Sequence, residues 1–278
     1  MPLRLFFEKQ PFKLKKPKEA SKGKIVFGFS GDKDQLKIKL QSKVDSTFVA
    51  KIIPEKEKDS LNYYWFSNQK IDSLNFVVSN TSFKDTVTVK LRKNKSDSLE
   101  IKSNIGSTLH LNDSLFLNTN NPIVKIDTSR ISFLDKDTLK VSYQLTKHKE
   151  NQLLFSFKKK QKDNYKLTIL PKAVTDIFKN TNDTLNYRFK TKGIEDYGII
   201  SLDINITENY PVIIELLNKK QEKLSTKIIT KSQVVTFNKL EPKSYFIRFI
   251  IDKNKNNKDE AEKKNIKKIF FNLFSKKK

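Results

Sequence analysis

The 278-residue chain contains no cysteine. Disulfides, thiolate metal sites, iron–sulfur clusters and cysteine nucleophiles are excluded together. Its two histidines, His110 and His148, are too few and too far apart in sequence to suggest a zinc site. Glycine (6), alanine (4) and arginine (5) are all scarce. No apolar run approaches the roughly 18–20 residues of a membrane-spanning helix. Met1 to Phe12 shows neither a long apolar stretch nor a small-residue cleavage site, so no signal peptide is expected there.

What the chain has in excess is lysine. Lys and Arg number 56 against 31 Asp and Glu, a formal charge of +25. Such an excess points first to nucleic acid or an anionic surface. Base and phosphate recognition favours Arg forks, and Arg is rare here. The lysines are also spread along the whole chain. Lys, Asn, Ile and Phe have AT-rich codons, whereas the scarce residues have GC-rich ones. The basicity therefore reads first as drift in an AT-rich genome. A selected polyanion-binding surface is the second reading, and no sequence-specific nucleic acid is expected. The chain is 36% hydrophobic and 11% aromatic, enough for real cores.

The patterning is that of strands. Apolar and polar residues alternate in Leu36 to Leu40, Val87 to Leu91 and Tyr165 to Ile169. A signature of Asp, then Ser or Thr, then Leu or Val recurs seven times, beginning at Asp59, Asp72, Asp85, Asp97, Asp113, Asp137 and Asp183. Asp and Ser/Thr side chains bond nearby backbone and stabilise turns. Each copy is read as a turn feeding a strand. The first four lie 12–13 residues apart, the spacing of sandwich strands. The boundaries expected are a sandwich over 1–102, a second over 103–193, a smaller sandwich over 194–259, and a basic tail over 260–278. Ala173 to Phe178 is expected to be irregular or one helical turn. Ile266, Ile269, Phe270, Leu273 and Phe274 fall on one face of a helix, with lysines opposite. That predicts an amphipathic tail helix, docked on the last sandwich or touching a membrane surface.

Two segments carry a family resemblance. Ala173-Val174-Thr175-Asp176-Ile177-Phe178-Lys179-Asn180, with Phe189-Lys190-Thr191, resembles the close of bacterial Ig-like domains of the surface-layer (SbsA Ig-like) type. Asn121 to Val124 and Tyr165 to Thr168 fit the same pattern. Phe237-Asn-Lys-Leu240-Glu-Pro242-Lys243-Ser-Tyr245 resembles a transthyretin-like or Cna-B-like module. Lys179 and Lys243 stand where those families have Gly, so backbone strain is expected at both. The resemblance implies an all-β chain of tandem Ig-like sandwiches and a small transthyretin-like sandwich. It implies a non-catalytic structural or adhesive module of a Gram-negative cell envelope, corresponding to the C-terminal portion of a longer lipoprotein. Its partners would be an envelope protein or a surface glycan. An exposed Trp65 beside Tyr63 or Tyr64 would instead mark a carbohydrate-binding accessory module. No P-loop, nucleophile elbow, metal-binding His pair or dinucleotide fingerprint occurs, and no enzyme activity is expected. No cofactor is expected apart from calcium.

Asp252, Asn254 and Asn256 have the alternate spacing of a calcium loop, with Asn257 at the position usually held by Gly. Position 12 is Lys263 rather than Glu, and Lys253 and Lys255 lie between the ligands. The segment reads either as a solvated polar turn or as a calcium site of roughly millimolar affinity. Thermal unfolding with and without calcium decides between them. At about ten times the dissociation constant the ion stabilises by about 1.4 kcal/mol. A calcium-dependent rise in melting temperature that Asp252→Ala removes is the outcome expected of a site. Identical melting in calcium and EDTA identifies a turn.

Overall fold

The computed structural model describes residues 10–55, 58–206 and 211–251, and the strand backbone of 266–272. The chain divides into two compact units. The first comprises Met1–Ser107, Ser114–Lys158 and Asn164–Phe189; the second comprises Thr108–Asp113, Lys159–Asp163 and Lys190–Lys278.

The first sandwich has strands β1 (Lys13–Leu14), β2 (Lys18–Ser21), β3 (Lys24–Ser30), β4 (Lys37–Leu40), β5 (Val49–Pro54), β6 (Ser60–Phe66), β7 (Ser73–Ser79) and β8 (Lys84–Lys90). One sheet runs β1-β3-β6-β5, with β2 also on β3, and the other runs β4-β7-β8. Lettered in chain order, with β1 and β2 as one split strand, this is ABED facing CFG, the constant-type immunoglobulin arrangement. Alternation fills the gap between the sheets. Ile25 and Phe27 of β3, Tyr63 and Trp65 of β6, and Leu74, Phe76 and Val78 of β7 all point into one core. Phe27 and Tyr63 meet Phe76 edge-on, at 5.2 and 4.9 Å.

The second sandwich has strands β9 (Ile101–Ser103), β10 (Leu115–Thr119), β11 (Ile123–Ile126), β12 (Ile131–Leu134), β13 (Tyr143–Lys149), β14 (Gln152–Phe157), β15 (Asn164–Ile169), β16 (Val174–Asp176) and β17 (Leu185–Lys190). Its sheets are β13-β14-β10-β9 and β12-β15-β17, again ABED facing CFG. A short extra ladder joins β11 to β16. Phe133 centres the core, with Phe157 edge-on at 4.8 Å and Tyr165 and Phe189 around it.

The second unit carries β18 (Gly198–Ile204), β19 (Val212–Leu217), β20 (Lys223–Ile229), β21 (Gln233–Leu240), β22 (Ser244–Ile251) and β23 (Ile266–Asn272). A two-stranded sheet, β18-β21, faces the sheet β20-β19-β22-β23. Ile200, Ile214, Leu216, Phe237, Tyr245 and Ile247 form its core. On β19 the nearly inaccessible Glu215 (1% exposed) is forked by Arg248 of β22 and paired with Lys223 of β20 at 3.2 Å. Two guanidinium nitrogens meet one carboxylate oxygen and the lysine meets the other, so the buried charge is paired on both sides.

Three expectations are corrected. Ile266–Asn272 is a strand on the edge of β22, not a helix. A short Ile- and Phe-rich run suits either period, and backbone pairing with β22 decides for the strand. Residues 260–265 and 273–278 lie outside the described residues. Val174–Asp176 is likewise a strand rather than a helical turn, paired antiparallel with β11. Strain at the two glycine-replacing lysines is found at Lys179 (φ 67°), but Lys243 is not among the positive-φ residues. The left-handed residue in that region is Lys239 (φ 54°), near the end of β21, where the register against β18 shifts.

Four of the seven Asp-Ser/Thr copies do open strands, at β6, β7, β10 and β17. Asp85 instead sits inside β8, Asp97 precedes β9 by four residues, and Asp137 belongs to a turn before an isolated bridge from Leu134 to Lys140. In that last turn buried Asp135 accepts hydrogen bonds from the backbone of Asp137 and Leu139, at 3.1 and 3.0 Å. This holds Thr138 at φ 60°. A β-branched residue there costs roughly 1–2 kcal/mol. Thr138→Gly, which adopts that conformation without strain, is expected to raise stability by about 1 kcal/mol and the melting temperature by about 2–4 °C. Calorimetry on the two proteins measures it, and an unchanged or lower melting temperature refutes the assignment of strain.

Candidate functional site

Strand β6 is buried on both faces. Tyr63 and Trp65 enter the first core, while Ser60, Asn62 and Tyr64 are buried on the other side. Tyr64 Oη donates to the Asn120 carbonyl at 2.9 Å, and its ring lies 6.3 Å from that of Phe178. Phe178 in turn covers Gly23, whose φ is +82°. A Cβ at Gly23 would meet the Phe178 ring and lie 2.6 Å from the Trp65 carbonyl, so only glycine fits. The first unit's two sandwiches meet along this line.

The turn after β16 organises the joint. Asp176 is fully buried. One of its oxygens accepts from the backbone of Phe178 and Asn180, at 2.9 and 2.8 Å. The other accepts from the side-chain amides of Asn121 and Asn180, at 2.7 and 3.0 Å. Both amides also donate to the Asp97 carbonyl, each at 3.1 Å. Neighbouring Asn120 donates to the Ser98 carbonyl at 2.7 Å and accepts from Glu100 N at 2.8 Å. Three asparagines therefore grip the segment linking the sandwiches, and one carboxylate orients two of them. Two ion pairs, Lys51–Glu150 at 3.1 Å and Lys24–Asp97 at 3.7 Å, flank the grip.

Beside the joint lies a cleft of about 790 Å³. Gly23, Trp65 and Phe178 line it, and the loop after β8, from Leu91 to Ser96, forms a wall. Glu19 shapes that wall, its carboxylate accepting from the backbone of Arg92 and Lys93. The rim cations are Lys22, Lys70, Arg92, Lys93 and Lys95. Asp72 pairs with Lys70 at 4.0 Å. Among the described residues, the other four make no ion pair. Trp65 is 6% exposed, and among the described residues its Nε1–H finds no acceptor. An unpaired buried donor costs about 1–3 kcal/mol. Phe48 stacks on the indole at 5.7 Å and 11°. Burial pushes the phenols of Tyr63 and Tyr64 up to about 12. All three aromatics of the proposed carbohydrate platform are therefore buried.

A second cluster lies in the second unit. His110 Nε2 is 2.9 Å from Glu241 Oε2, which Lys243 also approaches at 2.7 Å. Tyr197 Oη accepts from Leu111 N at 3.0 Å and sits 3.5 Å from His110 Nδ1. Tyr245 Oη donates to the Glu241 carbonyl at 3.0 Å, four residues upstream, in the manner of a tyrosine corner. Burial raises the Tyr197 phenol and takes Tyr245 up to about 12, while desolvation lowers the Lys159 ammonium. Neither histidine is hydrogen-bonded to a Ser or Thr hydroxyl among the described residues; the hydroxyl beside His110 is that of Tyr197. The cluster pins the segment 108–113 to the β21–β22 turn, aided by Asn112 Nδ2 donating to the carbonyls of Asn238 and Lys239.

The calcium candidates Asp252, Asn254 and Asn256 lie outside the described residues. Among the described residues, no group of three or more His, Asp or Glu is placed to hold a metal ion. The cleft was not foreseen from sequence, because its cations stand among lysines spread everywhere. The only local signal was the run Leu91-Arg-Lys-Asn-Lys-Ser96.

No family model and no curated protein matches this chain. Among solved structures it is similar to the I9–I11 tandem of titin, at 10% identity and a TM-score of 0.21, over 95% of this chain and 98% of that one. It is similar to Escherichia coli alpha-2-macroglobulin domains MG0-NIE-MG1, at 11% and 0.29, over 63% and 71%. A third is the Bacteroides ovatus mixed-linkage glucan utilization locus protein SGBP-B in complex with a mixed-linkage heptasaccharide, at 12% and 0.29, over 91% and 70%. Overlaps this loose carry no argument; the immunoglobulin arrangement rests on the strand order above.

The joint is open to a direct test. Asp176→Asn replaces a carboxylate that accepts four hydrogen bonds with an amide that turns a donor toward them. A loss of about 3 kcal/mol is expected. Trypsin is expected to cut faster at Lys95, next to the gripped segment. Wild-type melting and unchanged cleavage would show that the asparagines hold the linker without Asp176.

Proposed function

We propose that the chain is a non-catalytic Ig-like module of a bacterial cell envelope, holding its first two sandwiches at a fixed spacing and presenting their surface to a partner. The observation that carries this reading is the asparagine grip on the segment 97–100, organised by Asp176. A flexible tandem needs only a polar linker. Side chains from the second sandwich that bind successive linker carbonyls serve a spacer that must resist bending. The envelope assignment draws on the resemblance of Ala173–Asn180 and Phe237–Tyr245 to surface-layer and Cna-B-like modules. The transthyretin-like identity of the last sandwich belongs to the same reading, as does an envelope protein or surface glycan as partner.

The test is cell fractionation with an antibody to this chain. Recovery with the membrane and wall fractions, released by detergent or high salt, is the expected result. Recovery in the soluble cytosolic fraction overturns the envelope reading.

A further inference from the structure

We propose that the cleft beside the joint is a binding site for an acidic oligosaccharide, one bearing carboxylate or sulfate groups. This goes beyond a spacer, which needs no cationic cleft. Lys22, Arg92, Lys93 and Lys95 converge on it from β2–β3 and the loop after β8, and among the described residues none of them is ion-paired. Five cations line the cleft against two acids, Glu19 and Asp72, so the lining keeps a formal charge of +3 (five minus two). Like charges gathered this closely repel one another, and a bound polyanion relieves that.

The remaining lining suits hydroxyl-rich chains. Asn68, Gln69 and Asn94 are exposed on the rim and offer both donors and acceptors. Nucleic acid is the competing polyanion. Single strands are held by stacking bases on exposed aromatic faces. Here Trp65 is buried with Phe48 on one face, and Tyr63 and Tyr64 are buried too. The two half-buried rings that line the cleft are already engaged, Phe178 against Gly23 and Phe66 under the Lys179 ammonium at 4.6 Å, so charge and amides dominate the lining, which favours the glycan.

The chain has one tryptophan, and it lines this cleft. Its fluorescence reports on the site directly. Purified full-length chain is titrated with a heparin-derived hexasaccharide, a polygalacturonate oligomer, a neutral dextran oligomer and a single-stranded DNA oligomer. The first two are expected to change Trp65 emission saturably, with affinity falling as salt rises; dextran is expected to leave it unchanged. The variant Lys22→Gln/Arg92→Gln/Lys93→Gln/Lys95→Gln is expected to bind at least tenfold more weakly. A variant with the same charge change in the second unit, Lys219→Gln/Lys220→Gln/Lys227→Gln/Lys231→Gln, is expected to lose less than twofold. Equal losses in the two variants, binding without any change in Trp65 emission, or no binding of either acidic glycan overturns the site. Tighter binding of the DNA oligomer overturns the choice of ligand. These outcomes concern the purified chain and stand whichever cell fraction contains it.

Discussion

The first unit depends on one buried carboxylate. Among the described residues Asp176 accepts four hydrogen bonds from N–H groups and makes no ion pair. Two of those donors are asparagine amides, each with a second hydrogen on the Asp97 carbonyl. The carboxylate fixes the amides, and the amides fix the linker. Phe178, two residues further along the same turn, closes over Gly23 and approaches Tyr64. A single turn of the second sandwich thus sets the position of the first. Turn and joint are coupled, because the same two amides bond both the carboxylate and the linker.

Glycine scarcity shapes the rest of the backbone. Seven non-glycine residues among those described have positive φ, four of them lysines: Lys162, Lys172, Lys179 and Lys239. Lysine has no special fitness for that region; its stem is tolerated there at a cost. The surroundings hold some of these residues in place. At Lys179 the ammonium lies over the Phe66 ring at 4.6 Å, and the backbone N–H bonds the Asp176 carbonyl at 3.1 Å. The lysine that strains the turn also makes a contact across the joint. Where glycine does survive, at Gly23, the reason is space as much as φ.

How much of this was legible in the sequence follows from the range of each signal. Alternation is local, and the three segments it marked fall on strands: Leu36 to Leu40 on β4, Val87 to Leu91 on β8 and Tyr165 to Ile169 on β15. The Asp-Ser/Thr turns were legible for the same reason, though the signature marks a turn more reliably than a strand start. The tail was misread because seven residues cannot separate the two periods, and β22 supplied a partner the sequence does not show. Two-sided burial of β6 was half visible: Tyr63-Tyr64-Trp65-Phe66 breaks the alternation that a one-sided strand keeps. What covers Tyr64 is not local, since Asn120 and Phe178 come from the next sandwich. His110 and Glu241 are likewise brought together only by folding.

Charge distribution is the last consequence of the same economy. With 31 acidic residues against 56 basic ones, the chain carries a formal excess of 25 cations. Asp176 and Asp135 spend hydrogen-bonding capacity on backbone or amide groups, and Glu19 does so on the wall of the cleft. Glu215 shows the opposite use, a buried acid matched by Arg248 and Lys223. The surplus lysines are then repelled from one another and held apart by solvent and salt. On an open surface that repulsion spreads thinly. In the cleft it cannot, because the Leu91–Ser96 loop is fixed by Glu19 and by Lys22 N bonding the Lys95 carbonyl at 2.9 Å. Rigid backbone there holds cations close that flexible chain would let drift, so a composition that reads as diffuse drift becomes a localised field.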